Sequence, residues 1–478
     1  MPLPKAGSNS LFSNSFYIFI IRFFPSLANL LVVIGYSRYL PQAAYGSYQH
    51  FWIQLNVLYP VACFGIHALV ITYPGNFLIQ LMHRLSIKHY VLYGVWVAGL
   101  SIVFALLQNN GIGLSLVVPF LFIASFSISI IVESLLIVAR SYKSLTSVSL
   151  LYSLGWCIIH WYVLQLGFTL QSIFSLLLVL NMLRLAVYII ILLININGSK
   201  EPVDNKSYNI PAIRSLWIHL GMYDISQMLF SWIDKFVLSL VLTASVSAVY
   251  FNGAQNIPFL PLLLSAAGSA VLIKLAAGNK EDERKDITAL MNQSGKILSC
   301  IIFPVFFYLL LYRYDIIIFL FTERYIASVP VFAASVLALP VKAYSFTTVL
   351  QRMHKGSIIN AGAIADLLLA CALMYPLYKW LGLQGVALSF VITTYLQALF
   401  YLYYSARLLH ISILSLVPVA NWILKLIVFF CLFIVIHYLG NAYFKRDIAL
   451  ILGGGVTILT IGISLLIEIN KQNKHVVI

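Results

Sequence analysis

The sequence predicts an all-α membrane protein with about fourteen transmembrane helices. Of its 478 residues, 62% are hydrophobic and only 9% are charged. At about 20 residues per spanning helix, this apolar content would fill on the order of fourteen spans. The same composition excludes an intrinsically disordered chain, which needs low hydrophobicity and high charge. It also excludes a set of soluble domains, although the length alone would allow about three.

The basic residues indicate orientation in a membrane and not nucleic-acid binding. The net charge is +15, but the 29 Lys and Arg residues are scattered and form no concentrated basic face. Sixteen of them lie in the connections on the side of the N-terminus. Because cytoplasmic loops collect Lys and Arg, both termini are predicted to be cytoplasmic. The connections on the opposite side carry six: Arg38, Arg313, Arg324, Lys379, Lys445 and Arg446.

Hydrophobic runs between short polar connections define the individual helices. They are predicted at 12–36, 47–73, 88–107, 114–139, 145–166, 171–195, 213–241, 247–276, 294–312, 326–351, 356–378, 383–408, 419–440 and 447–468. Short matches between the two parts of the chain favour two six-helix halves, a plan common in transporters. The predicted organisation is a six-helix bundle in 1–195, a cytoplasmic linker in 196–212, a second six-helix bundle in 213–410, and two additional helices with a short tail in 411–478.

Basic residues inside the predicted spans are the first candidates for a functional site. Arg22 and Arg184 lie near mid-span, and Lys235 and Lys342 also lie well inside their helices. Each charge at such a depth costs about 2.5–3.5 kcal/mol, so it requires a wet cavity or a partner. These four residues are therefore predicted to bind an anionic substrate. Three further lysines near cytoplasmic helix ends can extend to the interface and are set aside: Lys274, Lys296 and Lys425.

Acidic residues inside the spans leave three interpretations open. The candidate carboxylates are those of Asp224, Asp234 and Asp366, of which Asp224 and Asp366 lie near mid-depth. In the first interpretation, Arg22 or Arg184 pairs with Asp224 or Asp366 and holds the two halves together. In the second, the basic residues line a cationic cavity. In the third, one of the acidic residues binds a coupling proton or sodium ion. Asp234 precedes Lys235 directly, and adjacent residues of a helix do not share a face.

The activity predicted for this chain is transport of a substrate and not catalysis of a reaction. The sequence contains no phosphate-binding Gly-x-x-x-x-Gly-Lys-Ser/Thr loop, no His-Glu-x-x-His motif and no paired-cysteine metal motif. It therefore predicts neither catalytic residues nor a metal site nor a cofactor. A polysaccharide polymerase or a membrane acyltransferase is disfavoured because the predicted outer loops are short.

Several short motifs occur together in one order along the chain. They are Arg38-Tyr39-Leu40-Pro41 with Tyr45-Gly46-Ser47-Tyr48, then Asp234-Lys235 followed by Tyr250, Ala254 and Ile257, then Leu320-Phe321 to Tyr325, and Gly382-Leu383-Gln384-Gly385-Val386-Ala387. In these the chain resembles the polysaccharide-transporter family, which includes the O-antigen flippases. That family belongs to the multidrug/oligosaccharidyl-lipid/polysaccharide superfamily, with the lipid II flippases and the multidrug and toxin extrusion antiporters. The likeness spans at least 12–410.

The resemblance implies two bundles around a central cavity that opens alternately to either side of a bacterial inner membrane. The implied substrate is an undecaprenyl-diphosphate-linked oligosaccharide, and Arg22 sits where the family often has a cavity base. A polysaccharide polymerase and chain-length machinery are the implied partners. Lipid II flippases carry further arginines in early helices, whereas helix 2 here offers only His50 and His67, which disfavours a peptidoglycan precursor. The rival within the superfamily is a cation-coupled multidrug or metabolite exporter.

Overall fold

The fold is known from a computed structural model of the chain. It describes residues 8–73, 78, 81, 85–167, 169–198, 210–255, 283–353 and 355–476. The chain divides into two compact units, Met1–Ala248 and Val249–Ile478. The helix after the 196–212 connection belongs to the first unit, so this division falls one helix later than the sequence-predicted one.

Nearly all of the first unit's described residues are helical. Its helices are α1 (Ser8–Tyr39), α2 (Gln42–Cys63), α3 (Ile66–Thr72), α4 (Ile87–Ile112), α5 (Val117–Val138), α6 (Tyr142–Leu166), α7 (Leu170–Gly198), α8 (Ile210–Val241) and the start of α9 (Ala244–Gly253). Helix α1 packs on α6, α5 on α7, and α2 on α8.

The second unit continues the helical pattern but contains one heavily interrupted segment. Its helices are α10 (Glu283–Leu311), α11 (Arg313–Phe321), the 3-10 helix η1 (Glu323–Ser328), α12 (Val329–Val336), the 3-10 helix η2 (Pro340–Ala343), α13 (Thr348–Arg352), α14 (Gly356–Leu381), α15 (Leu383–Leu409), α16 (Ile413–Leu416), α17 (Val419–Tyr443) and α18 (Arg446–Val476). Helices α14 and α15 form a tight antiparallel pair.

The predicted all-α polytopic membrane fold is confirmed. Eleven described helices are long and apolar enough to cross a membrane, and a twelfth span is the bent pair of α2 and α3. Of the two other predicted helices, 213–241 is the continuous helix α8, whose charged residues distinguish it from the apolar spans. The remaining one, 247–276, lies mostly outside the described residues. The predicted count of fourteen therefore exceeds the eleven to twelve apolar spans of the described chain.

The core of the first unit is aromatic and well paired. The Tyr48 hydroxyl lies 2.9 Å from His160 Nε2, and His160 Nδ1 lies 2.7 Å from the Trp156 carbonyl oxygen. The rings of Phe51 and Phe174 stack with their centroids 3.8 Å apart. Because each nitrogen of the His160 ring has a partner, this buried histidine is a structural element of the core.

The second span is broken between α2 and α3 by two consecutive residues in the left-handed region. Phe64 has φ 39° and Gly65 has φ 68°, and the two helices meet at 55°. The break rests directly on α8, because a Cβ added at Gly65 would lie 2.4 Å from the Gly221 backbone nitrogen. The Phe64 carbonyl oxygen accepts a 2.7 Å hydrogen bond from Trp217 Nε1, which satisfies an acceptor in the broken stretch. The position of the break is thus fixed by backbone contact with α8.

The two C-terminal helices are the least buried of the described spans, with 11% of the α17 window and 17% of the α18 window buried. Ion pairs fasten them to the second unit. Lys425 Nζ of α17 lies 3.1 Å from Glu468 Oε2 of α18 and donates to the Lys296 carbonyl of α10 at 2.6 Å. Arg446, the first residue of α18, pairs with Asp315. The expectation that Lys425 extends to the interface is wrong, because Glu468 offers its ammonium group a buried partner.

We expect Lys425→Met to destabilise the second unit more than any other charge removal in α17 and α18. The side chains of Lys425 and Glu468 are 13% and 7% exposed, so the variant leaves an uncompensated buried carboxylate, which costs about 3–5 kcal/mol. The apparent melting temperature in detergent measures this loss. Lys425→Met/Glu468→Leu should recover most of it, and Lys445→Met, at an exposed position, should match the wild type. Equal stability of the Lys425 and Lys445 variants would contradict the assignment.

Candidate functional site

Arg22 lies in α1 of the first unit, five residues after Tyr17, where the apolar span begins. Its side chain is exposed in a helix that is otherwise apolar at this depth. No ion pair involving Arg22 occurs among the described residues, although electrostatic interactions link it to Tyr59 and His67. An arginine in a span without a carboxylate partner fits a group that meets an anionic ligand.

Arg184 lies at mid-span in α7 and is held on two sides. Its Nη2 donates to Asn181 Oδ1 at 3.1 Å, and its Cζ lies 4.4 Å from the centroid of the Tyr152 ring. The Asn181 amide in turn donates to Ser125 Oγ at 2.8 Å. The Nε of Arg184 is buried without a hydrogen-bond partner in the described part of the chain. The guanidinium is therefore oriented by protein contacts and keeps donor capacity for a ligand.

An aromatic pair connects the two arginines. The Phe126 centroid lies 5.8 Å from Arg184 Cζ and 5.4 Å from the centroid of Tyr59. Tyr59 interacts electrostatically with both Arg22 and Asp224. We call the set formed by Arg22, Tyr59, His67, Phe126, Arg184 and Asp224 the arginine cluster. The structure thus brings three predicted site residues, Arg22, Arg184 and Asp224, into one connected group.

Asp224 has a histidine partner that sequence reasoning missed. His67 Nε2 lies 3.5 Å from Asp224 Oδ2, and the two side chains are 25% and 19% exposed. The separation is within ion-pair range, but Asp224 Oδ2 has no hydrogen-bond partner among the described residues, so the contact is not a hydrogen bond. His67 Nδ1, the other ring nitrogen, has no hydrogen-bond partner there either. His67 follows the break at Gly65 by two residues, and Asp224 follows Gly221 by three. Residues three apart share a helix face, so the contact between the glycines sets His67 opposite Asp224.

Lys235 and Asp234 form an ion pair, which corrects the expectation drawn from their adjacency. Lys235 Nζ lies 3.3 Å from Asp234 Oδ2, and both side chains are buried. The flexible lysine stem reaches back to its neighbour, and its ammonium group lies 5.6 Å from the Trp232 ring. At 1.5 Å per residue, Lys235 is about 16 Å along α8 from Asp224. This pair is therefore separate from the arginine cluster.

Lys342 lies in the interrupted span of the second unit. It belongs to η2, between α12 and the extended residue Tyr344. The Leu337 carbonyl at the end of α12 accepts the Tyr395 hydroxyl at 3.0 Å, so this break is also supported by a neighbouring helix. In the described part of the second unit Lys342 makes no ion pair. Interrupted spans that carry a charge are typical places for substrate or ion sites.

Asp366 of α14 is 4% exposed, and both of its carboxylate oxygens lack a hydrogen-bond partner in the described chain. The Thr393 side chain of α15 lies beside the carboxylate, but its hydroxyl donates to the Phe390 carbonyl at 3.2 Å. A buried acid with so few donors is costly as an anion. Its predicted role in ion coupling stays a prediction. No group of three or more potential metal-ligating side chains occurs in the residues described.

The interpretation in which Arg22 or Arg184 pairs with Asp224 finds no ion pair of that kind among the described residues of the first unit, and a pairing with Asp366 stays a prediction. The four described pairs join His67 to Asp224, Lys235 to Asp234, Lys425 to Glu468, and Arg446 to Asp315. Sequence reasoning missed Glu468 and the role of His67. The Cys63-Phe64-Gly65 break in an apolar run, with a histidine just after it, was the available indication for His67.

Comparison with known proteins identifies the fold class. No protein-family model matches the sequence, and no curated protein matches it. Three solved structures are similar across most of the chain. The lipid II flippase MurJ in an inward closed conformation aligns with a TM-score of 0.64 and 14% identity, covering 98% of this chain and 100% of that one. A MATE protein in a complex aligns at 0.55 with 15% identity, covering 83% and 94%. A MATE protein in the bent conformation aligns at 0.52 with 14% identity, covering 82% and 93%.

The chain is therefore a multi-pass α-helical membrane protein with the fold shared by MurJ and the MATE proteins. At 14–15% identity the similarity establishes the fold and leaves the substrate to be argued from this chain's own residues.

Proposed function

We propose that this protein is a flippase that moves undecaprenyl-diphosphate-linked oligosaccharide repeat units across the bacterial inner membrane. The repeat units would supply a surface polysaccharide such as O-antigen, capsule or exopolysaccharide. The observation that carries the proposal is the pair of guanidinium groups in the arginine cluster. Neither Arg22 nor Arg184 forms an ion pair with a carboxylate within the described residues, although Glu133 acts electrostatically on Arg184, and both arginines lie inside apolar spans.

The physical argument concerns the diphosphate. Moving a bare diphosphate through hydrocarbon is prohibitive, so a carrier must supply cations at depth. Guanidinium groups bind phosphate oxygens with two parallel hydrogen bonds, which are stronger than neutral ones. Arg184 is already oriented by Asn181 and Tyr152, so little side-chain entropy is lost on binding. The arginine cluster would hold the diphosphate while it becomes exposed alternately to the two sides of the membrane.

The remaining predicted residues extend this proposal. Lys342 stays a candidate for binding an anion within the second unit, whereas Lys235 is neutralised by Asp234 and would contribute to binding only if that pair opens. Tyr59 and Phe126 offer flat faces of the kind on which sugar rings pack. The termini would be cytoplasmic, and a polysaccharide polymerase and chain-length machinery would take the product on the outer side. The proposal includes no cofactor, no nucleic-acid partner and no catalytic residue.

The alternative is a cation-coupled exporter of drugs or metabolites. It draws on the similarity to MATE proteins and on the buried carboxylate of Asp366. Organic cations prefer an acidic site, whereas the two arginines of the cluster form no ion pair with a carboxylate among the described residues. Guanidinium groups that are not engaged in an ion pair favour an anionic substrate.

The test is the fate of lipid-linked oligosaccharide in a strain that lacks the gene. The flippase proposal expects glycan units to accumulate on the cytoplasmic leaflet and surface polysaccharide to disappear, with both effects reversed by the restored gene. Normal surface polysaccharide without trapped intermediate, in a strain without a redundant flippase, contradicts the proposal. Increased sensitivity to cationic drugs in the same strain would favour the exporter.

A further inference from the structure

We propose that His67 and Asp224 form a proton-binding site whose occupancy is linked to anion binding at Arg22. This inference rests on the proposed function, because the anion is the diphosphate of the proposed substrate. It assigns a ligand, the proton, to two side chains that face each other between α3, which follows the break of the second span, and α8. The linkage follows from the charges of the arginine cluster.

The first step is the geometry of the pair. His67 Nε2 and Asp224 Oδ2 are 3.5 Å apart, close enough for an ion pair once the imidazole is charged. His67 Nδ1 has no hydrogen-bond partner among the described residues, so no neighbouring donor there blocks protonation. The two side chains are 25% and 19% exposed, so water reaches part of each, although His67 Nδ1 and Asp224 Oδ2 are themselves buried. This distinguishes His67 from His160, which is 2% exposed and has a partner at both ring nitrogens.

The second step is the set of charges that surround His67. Helix α1 contributes Arg22, and α2 contributes the uncharged side chains of Tyr59 and Cys63, which lie near Asp224. Helix α8 contributes Asp224. Helix α5 packs against α3 and carries one titratable side chain, Glu133, whose carboxylate accepts the Tyr188 hydroxyl at 3.2 Å. Of the other titratable residues of α8, Asp234 and Lys235 pair with each other about 16 Å away along the helix, and three lie at exposed positions: Arg214, His219 and Tyr223.

The third step is the arithmetic of charge. With neutral His67, the positive charge of Arg22 and the negative charge of Asp224 sum to zero. With protonated His67, the three side chains carry a net charge of +1, and His67 engages Asp224 so that Arg22 is left as the free cation. A bound diphosphate is therefore more stable when His67 is protonated. By reciprocity, the bound diphosphate raises the affinity of His67 for a proton by the same factor.

The fourth step is the location of the pair. His67 lies on α3, which begins directly after the break, and Asp224 lies on α8 beside the Gly221 contact. Forming or losing the ion pair changes the attraction between α3 and α8 at the point where the backbone already bends. Histidine can gain or lose a proton in the physiological pH range, and the facing Asp224 carboxylate favours the protonated form of His67.

The experiment is calorimetric binding of a synthetic farnesyl-diphosphate-linked N-acetylglucosamine to the purified full-length protein in detergent. This diester has no proton to exchange near neutral pH. Titrations in two buffers of different ionisation enthalpy give the protons taken up per ligand bound. We expect uptake of up to one proton by the wild type near neutral pH, and affinity about fivefold or more higher at pH 6 than at pH 8.

The variants separate the proton site from the anion site. His67→Gln should bind the diester with no proton uptake and with an affinity that does not change between pH 6 and pH 8. His89→Gln, at an exposed histidine in the first turn of α4, is the matched control and should behave as the wild type. Binding without proton uptake in the wild type, or unchanged uptake in His67→Gln, overturns the proton site and leaves the proposed function standing. If the wild type does not bind the diester, both the linked proton site and the proposed function are overturned, because the linkage requires that the anion binds.

Discussion

Gly65→Ala is expected to destabilise the first unit and to abolish transport. The new Cβ would lie 2.4 Å from the Gly221 nitrogen and 2.6 Å from the Gly221 Cα, and both are backbone atoms that cannot rotate away. The residue also has φ 68°, a conformation that costs a non-glycine residue about 1–2 kcal/mol. Overpacking adds about 1–3 kcal/mol, so the total loss is about 2–5 kcal/mol.

The measurement is the fraction of monodisperse protein that survives a temperature series, with surface polysaccharide in complemented cells as the functional result. Gly65→Asn keeps a residue that tolerates the left-handed region but adds the same Cβ, so we expect it to remain defective. Gly221→Ala should be milder, because its Cβ would meet the Phe64 carbonyl oxygen at 3.0 Å.

Gly99→Ala is the matched control for these variants. Gly99 lies in the interior of α4, and nothing lies within 4 Å of an added Cβ. Alanine there should be neutral or stabilising by up to about 1 kcal/mol. If Gly65→Ala melted at the same temperature as Gly99→Ala and the wild type, the backbone contact between the break and α8 would not hold the span in place.

Arg22→Ala is expected to weaken substrate binding strongly without loss of folded protein. The guanidinium makes no ion pair in the described chain, so its removal leaves no buried partner unpaired. A hydrogen bond to a charged group contributes about 1.5–3 kcal/mol, so affinity for a diphosphate-linked glycolipid should fall by about 10- to 100-fold. The measurement is the dissociation constant of the purified variant, with the melting temperature taken on the same sample.

Arg22→Lys and Arg407→Ala control this prediction. Lysine keeps the charge but cannot form the bidentate contact, so we expect an intermediate affinity. Arg407 is exposed in the last turn of α15, and its loss should leave binding unchanged. If Arg22→Ala bound the glycolipid as tightly as the wild type, the arginine cluster would not be the anion site.

The sequence predicted the fold well because its helices are long apolar runs. Eleven of the predicted helices correspond to spans of the described chain, since hydropathy over about 20 residues depends little on tertiary contacts. The breaks were harder to predict. The predicted helix 47–73 is two helices separated at Phe64 and Gly65, and 326–351 contains η1, α12, η2 and α13. These breaks depend on partners distant in sequence, such as Gly221 and Trp217.

The site was predicted only in part, because its contacts also depend on residues distant in sequence. Charges inside spans are visible in a sequence, so Arg22, Arg184 and Asp224 were found without knowing that they meet. Their partners could not be assigned from spacing, because helix rotation decides which side chains face each other. The sequence therefore left open whether Asp224 pairs with an arginine, whereas the structure pairs it with His67. The Lys425–Glu468 pair was missed because lysines near helix ends usually extend to water.

The measurement that tests the central claim most directly is translocation by the purified protein in liposomes. A fluorescent, short-chain polyprenyl-diphosphate-linked sugar is placed in both leaflets, and the fraction accessible to an external glycan-modifying enzyme is followed over time. The proposed function predicts that the wild type makes the inner-leaflet pool accessible, whereas Arg22→Ala liposomes keep it protected, as empty liposomes do. Wild-type liposomes that keep the inner pool protected, or equal rates for wild type and Arg22→Ala, would contradict the claim that the arginine cluster carries a diphosphate-linked glycan across the membrane.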